Sequence, residues 1–142
     1  MSPAGMRIDG STSAASDTSA LDASTLLIPL VGFLPLDDER IRNTVHAIAE
    51  ELTDDGLSGE EGTFTICSFW LVSAYALIGE VEEARRLCEK LFSMASPLGL
   101  YAEEIDAASG RHLGNFPQAF THLGLINAVL HIMSAEEKHK RD

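Results

Sequence analysis

Three carboxylates stand within four positions, Glu103, Glu104 and Asp106, between stretches rich in apolar residues. A positioned carboxylate can take a proton from a water or give one to a leaving group, so such a cluster is a candidate acid–base site. Like charges this close repel, a small cost that a surface turn could have avoided. On composition alone a solvated acidic turn is still the favoured reading, because clustered carboxylates point to sites only statistically.

The other chemistry-bearing residues offer less. The five histidines, His46, His112, His122, His131 and His139, show no HxxxH pair or His–carboxylate spacing that would set metal ligands on one helix face. Most are expected at the surface or as capping groups, and no metal site is expected. Cys67 and Cys88 both fall inside apolar helical patterns, so they are read as small buried hydrophobes, not as a disulfide. Neither a Gly-x-Ser-x-Gly elbow nor a phosphate-cradling glycine loop occurs, and no cofactor is expected.

The elements that must position the acidic segment follow from periodicity. Positions 1–20 are dominated by Ser, Ala, Gly, Thr and Asp and are expected to be disordered. Leu26–Leu34 is apolar but broken by Pro29 and Gly32, which predicts a short, buried, irregular helix. Asp37, Asp38 and Glu39 place negative charge at a helix start, and Ile41, Val45, Ile48, Ala49 and Leu52 carry that helix to about Thr53. A turn-rich connector, Asp54–Gly59, follows.

Thr63–Ile78 is apolar on nearly every side, as expected of a helix covered all round. Gly79 ends it. Val81, Ala84, Leu87, Cys88 and Leu91 mark one face of the next helix, closed by Pro97 and Gly99. Pro117, suited to a first helical turn, is expected to open the last helix, with Phe120, Leu123, Ile126, Val129 and Leu130 along it. Ser134–Asp142 reads as a charged tail. The expectation is an all-α chain of about five helices. One helix pair resembling a tetratricopeptide unit does not repeat, and arrays need at least about three units.

A formal net charge of -12 argues against nucleic acid or an anionic membrane as a partner, and favours neutral ligands such as sugars. The Thr63–Ile78 run is too short for a membrane span, and the N-terminus shows no signal-peptide pattern, so a cytoplasmic protein is expected.

The runs Glu61-Gly-Thr-Phe-Thr-Ile-Cys-Ser-Phe-Trp-Leu71, Ala102-Glu-Glu-Ile-Asp106, Ser109-Gly110 and Leu113-Gly-Asn-Phe-Pro-Gln-Ala-Phe-Thr-His-Leu-Gly-Leu-Ile-Asn127 closely resemble the C-terminal part of glycoside hydrolase family 15. That family holds glucoamylases, glucodextranases and certain bacterial trehalases; Leu21-Asp-Ala-Ser24 and Leu30-Val-Gly-Phe-Leu-Pro35 also look like its bacterial members. The resemblance implies an (α/α)6 barrel, six-hairpin and partial here, over 21–133. It also implies hydrolysis of an α-glucosidic bond with inversion, in an oligosaccharide or in trehalose. By the same resemblance Glu103 is the general base, Glu104 its sugar-contacting neighbour, Glu61 and Phe64 part of the glucose pocket, and Phe120 an aromatic near the base. Trp70 is read as core.

The chain also departs from the pattern. The family's general acid lies on an upstream loop to which no residue before Asp22 corresponds, and an Arg-Tyr segment expected before Glu61 is missing. Five helices cannot close a twelve-helix barrel, so the chain reads as a C-terminal fragment with little activity alone. The rival reading is a non-catalytic helical module that self-associates, or binds a partner, through exposed apolar faces.

Overall fold

The most apolar stretch of the sequence forms the central wall of the molecule. The computed structural model describes residues 23–54, 63–106 and 108–141. Within them helix α3, Thr65–Leu77, packs against every major helix. Phe69, Val72 and Ala76 lie on one side of α3, and Leu71 and Ala74, with Ile78 just past its end, on the other. Both sets follow i, i+3, i+7 spacing, and at 100° per residue they point in opposite directions. Apolar character all round α3 thus reflects two cores, one on each face.

The first core joins α3 to α4, Val81–Ser93, and α5, Ala119–His139, with Cys88, Leu91, Tyr101, Ile105, Ala128 and Ile132 buried in it. The second joins α3 to a 3-10 turn, Ala23–Leu26, a short α1, Leu27–Leu30, and α2, Glu39–Asp54, through Leu26, Ile41, Val45 and Ile48. Helix α3 ends where Glu80 N–H donates to the Tyr75 carbonyl and Gly79 N–H to that of Ala76; Gly79 adopts φ +87°, a left-handed turn that glycine makes without a Cβ clash.

The buried helix expected over 26–34 stops at Leu30 and leaves Val31 and Phe33 exposed; elsewhere the helical expectation holds except in three places. Two-residue strands β1, Thr63–Phe64, β2, Glu104–Ile105, and β3, His112–Leu113, form an antiparallel sheet in that order; β2 and β3 fall where only loop was expected, and β1 takes the first two residues of the run expected to be helical from Thr63. Strands this short bury too little to leave a periodic signal. Helix α5 opens at Ala119 and not at Pro117, which lies outside it after a cis peptide bond with Phe116. Positions 134–139, read as the start of a charged tail, continue α5, because Ala135 packs on the first core and Glu136 pairs with Arg85 of α4. The segment expected to be disordered and most of the 54–59 connector lie outside the described residues.

Among the described residues no helix is long and apolar enough to cross a membrane.

Candidate active site

The acidic segment is held through its backbone. Tyr101 and Ala102 are buried, and the three N–H and three C=O groups of Tyr101–Glu103 meet six different partners. The Tyr101 N–H donates to His122 Nε2 (3.3 Å), and its carbonyl accepts from Gln118 N–H (3.0 Å). The Ala102 N–H donates to His112 Nδ1 (3.2 Å), and its carbonyl accepts from the Thr121 hydroxyl (3.3 Å). The Glu103 N–H donates to the Asn115 carbonyl (2.9 Å), and its carbonyl accepts from Thr65 N–H (2.9 Å). Each bond spares a buried polar group the penalty of having no partner. Together they lace the segment to the starts of α3 and α5 and to β3 and the turn after it.

Tyr101 anchors this lacing in the core. Its ring meets Phe69 edge-on (centroids 5.3 Å apart, 89°), and its hydroxyl donates to the Leu91 carbonyl (2.7 Å). Burial, helped by Cys88, pushes the phenol up to about 12.

The three carboxylates have three different settings. Glu103 is half-buried and lies over the Gly114–Asn115 backbone, with Asn115 N–H donating to its Oε2 (3.3 Å). A Cβ on Gly114 would sit 2.8 Å from that same oxygen, so the missing side chain makes the space the carboxylate fills. Glu104 is paired across β1 with Phe64 and across β2–β3 with Leu113, so these three side chains share one face of the sheet. Phe64 is half exposed there. Asp106 accepts hydrogen bonds from the Ser109 hydroxyl and the Ala108 N–H, and these hold its carboxyl below the usual range. It builds the turn through Ser109 and Gly110.

The sheet thus brings Glu104 and Phe64 onto one face, and Glu103 immediately precedes β2. Phe120 is in the first turn of α5, between the Gln118 and Thr121 that bind Tyr101 and Ala102, and its ring meets Trp70 edge-on (6.1 Å). Trp70, expected in the core, is half-buried against the second core. Glu61 lies outside the described residues. Among the described residues no group of three or more His, Cys, Asp or Glu side chains is placed to hold a metal ion.

Sequence reasoning missed Gly114, Asn115, His112 and His122. Surface or capping roles describe His46, which pairs with Glu80, and the exposed His139. His112 and His122 are instead half-buried and bonded to the acidic segment, on elements whose contact no spacing foretells. Gly114 left a faint signal, a glycine beside a polar Asn between apolar residues.

A half-buried carboxylate with a fixed backbone and an amide donor on one oxygen can take a proton from a bound water.

Comparison with known proteins gives this geometry a context. The family model described as "Glycosyl hydrolases family 15" matches residues 5–130. A trehalase of Mycobacterium tuberculosis is 68% identical over 132 positions, covering 84% of this chain and 19% of the relative. A trehalase of Mycolicibacterium smegmatis is 65% identical, covering 84% of this chain and 20% of the relative. One from Thermoplasma volcanium is 42% identical over 120 positions, covering 77% of this chain and 19% of the relative. The chain therefore spans about one fifth of the length of these curated relatives. No solved structure matches it.

Proposed function

The chain belongs to glycosyl hydrolases family 15, and from that premise we propose that it carries the general-base half of an inverting α-glucosidic hydrolase, with Glu103 as the base. The observation that carries the reading is the setting of Glu103, half-buried and held at its N–H, its carbonyl and one carboxylate oxygen. In inversion the base takes a proton from a water that attacks the anomeric carbon opposite the leaving oxygen, while an acid about 6.5–9.5 Å away protonates that oxygen. The substrate is an α-glucoside, and the printed names of the relatives favour trehalose over a longer glucan. Glu104, Phe64, Phe120 and Glu61 are the proposed sugar contacts. The general acid comes from the four fifths of the relatives' length that this chain does not span.

The test is glucose release from trehalose and maltose. A chain without its acid loses about 10²–10⁴ in rate, so the chain alone is expected to be nearly silent. Mixing it with the complementary portion of the mycobacterial trehalase is expected to raise turnover, and Glu103→Gln to remove the gain. Turnover by the chain alone that Glu103→Gln abolishes would show that the acid is present; restored turnover indifferent to Glu103→Gln would remove Glu103 from the role.

One observation favours a second reading, a helical interaction module. Phe120, Leu123, Ile126, Leu130 and Met133 are each about half exposed and form one broad face of α5. Such a row favours self-association. Sedimentation across a concentration series checks it: a monomer at every concentration counts against this reading.

A further inference from the structure

We propose that His112 and His122 are positioning residues for Glu103, acting on the two peptide groups before it and only in their neutral forms. This rests on Glu103 being the working carboxylate, but its test does not depend on catalysis. The argument starts from the bonds each ring makes. His112 Nε2 faces the Met94 carbonyl (3.0 Å), which can only accept, so Nε2 carries the hydrogen and Nδ1 presents a lone pair to Ala102 N–H. His122 is the mirror case. Its Nδ1 faces the Gln118 carbonyl (2.6 Å) and carries the hydrogen, leaving Nε2 to accept from Tyr101 N–H. Opposite tautomers on β3 and α5 therefore hold adjacent amides of one strand of chain.

Protonating either ring puts an N–H against an N–H. The bond is lost, and the buried amide of Tyr101 or Ala102 is left without an acceptor. Glu103 is next in line, and its carboxylate rests on Asn115, three residues after His112. The rings themselves contact Tyr101 (centroids 6.4 and 5.9 Å), and His112 also meets Phe116 (5.4 Å). Titratable or charged groups on the segments packed against them are Tyr101, Glu103, Glu104 and Asp106 on the acidic segment, Arg111 beside His112, and Cys88, Glu89 and Lys90 on α4. Burial pushes Tyr101 and Cys88 up, so both stay neutral through the range in which imidazoles titrate.

The experiment is NMR on the 142-residue chain. Long-range ring ¹⁵N spectra are expected to show hydrogen on Nε2 of His112 and on Nδ1 of His122. Between about pH 8 and pH 5, amide-exchange protection at Tyr101 and Ala102, corrected for intrinsic rates, is expected to fall about tenfold while core amides of α3 keep theirs. His112→Asn and His122→Gln put a non-titrating carbonyl oxygen in place of the accepting nitrogen. They are expected to keep the protection and lose its pH dependence, whereas His112→Ala and His122→Ala each lose protection at their own amide. The Asn115 amide donates to the Glu103 carboxylate, so its chemical shift reads that contact directly, and it is expected to move in the alanine variants relative to the wild-type chain. The opposite tautomers, or protection that persists with both rings charged, would overturn the proposal. A glucose-release result that removed Glu103 from catalysis would leave these readouts unchanged, so the two failures are separable.

Discussion

Helix α3 is held from two sides by different physics. Toward α2 and the 3-10 turn the fully buried contact is aliphatic, Leu26, Ile41, Val45 and Ile48 against Leu71, Ala74 and Ile78, with Trp70 and Tyr75 at its edge and polar links such as Arg42–Glu80 outside it. Toward the acidic segment the apolar core is joined by directional bonds from six partners to three consecutive residues. Hydrophobic burial scales with area and tolerates small shifts; hydrogen bonds to buried amides depend on position and on protonation state. One side supports the fold, and the other also fixes the coordinates of a carboxylate.

The largest test of that contrast is a pair of truncations. Phe69→Ala is expected to cost about 3–5 kcal/mol and Ile48→Ala about 2–5 kcal/mol in urea unfolding. Only Phe69→Ala removes the ring against Tyr101, so it alone is expected to loosen amide exchange at Tyr101–Glu103 in the native state. Equal loosening by Ile48→Ala would mean the two sides are not distinct.

Next comes Gly114→Ala. Its φ of +72° is a left-handed conformation that costs a non-glycine residue about 1–3 kcal/mol. The added Cβ must also displace Glu103 Oε2. Lower stability with a displaced Asn115 amide resonance is expected; an unmoved resonance would show that the cradle does not set the carboxylate.

Smaller effects are expected at acid pH, one from each region. Asp38 is lowered from 3.8 to about 2, chiefly by its side-chain bond to Arg40, and Asp106 is lowered chiefly by Ser109. A lowered folded pKa means that this stability is fully present above the ordinary value near 3.8 and is lost as pH falls toward 2. Asp38→Asn and Asp106→Asn are each expected to flatten that acid limb in urea midpoints, modestly because both carboxyls are at the surface. Limbs identical to wild type would show that neither pair matters.

The smallest effect is expected from Arg42→Ala, less than about 1 kcal/mol, because its pair with Glu80 is exposed. A larger loss would assign it the Ile78 carbonyl contact as a working helix cap.

Much of this was legible in the residues. The amphipathic spacing of α2 and α4 and the uniform apolarity of α3 predicted those helices, and the motif around Glu103 pointed to the family that the comparisons show. What failed had a physical cause in each case. The strands are two residues long, below any period. The start of α5 was read from the N1 preference of Pro117, but the helix opens after Gln118, whose N–H is bonded to Tyr101. Its end runs past Ser134 because charged residues mark an exposed helix face as well as a tail, and Glu136 uses its charge on Arg85.

Three neighbouring carboxylates look alike on paper, and they end as a caged side chain, a sheet-face residue and a turn brace. By itself the sequence determined that helices form, that one is apolar all round, and that an acidic segment lies between two of them, because those properties belong to short runs and their periods. Only the tertiary structure decided that α3 divides two cores, that Gly114 makes room for Glu103, and that two histidines on separate elements hold the amides before it. Those are matters of which distant groups meet, and a hydrogen bond depends on distance in space, which separation along the chain does not specify.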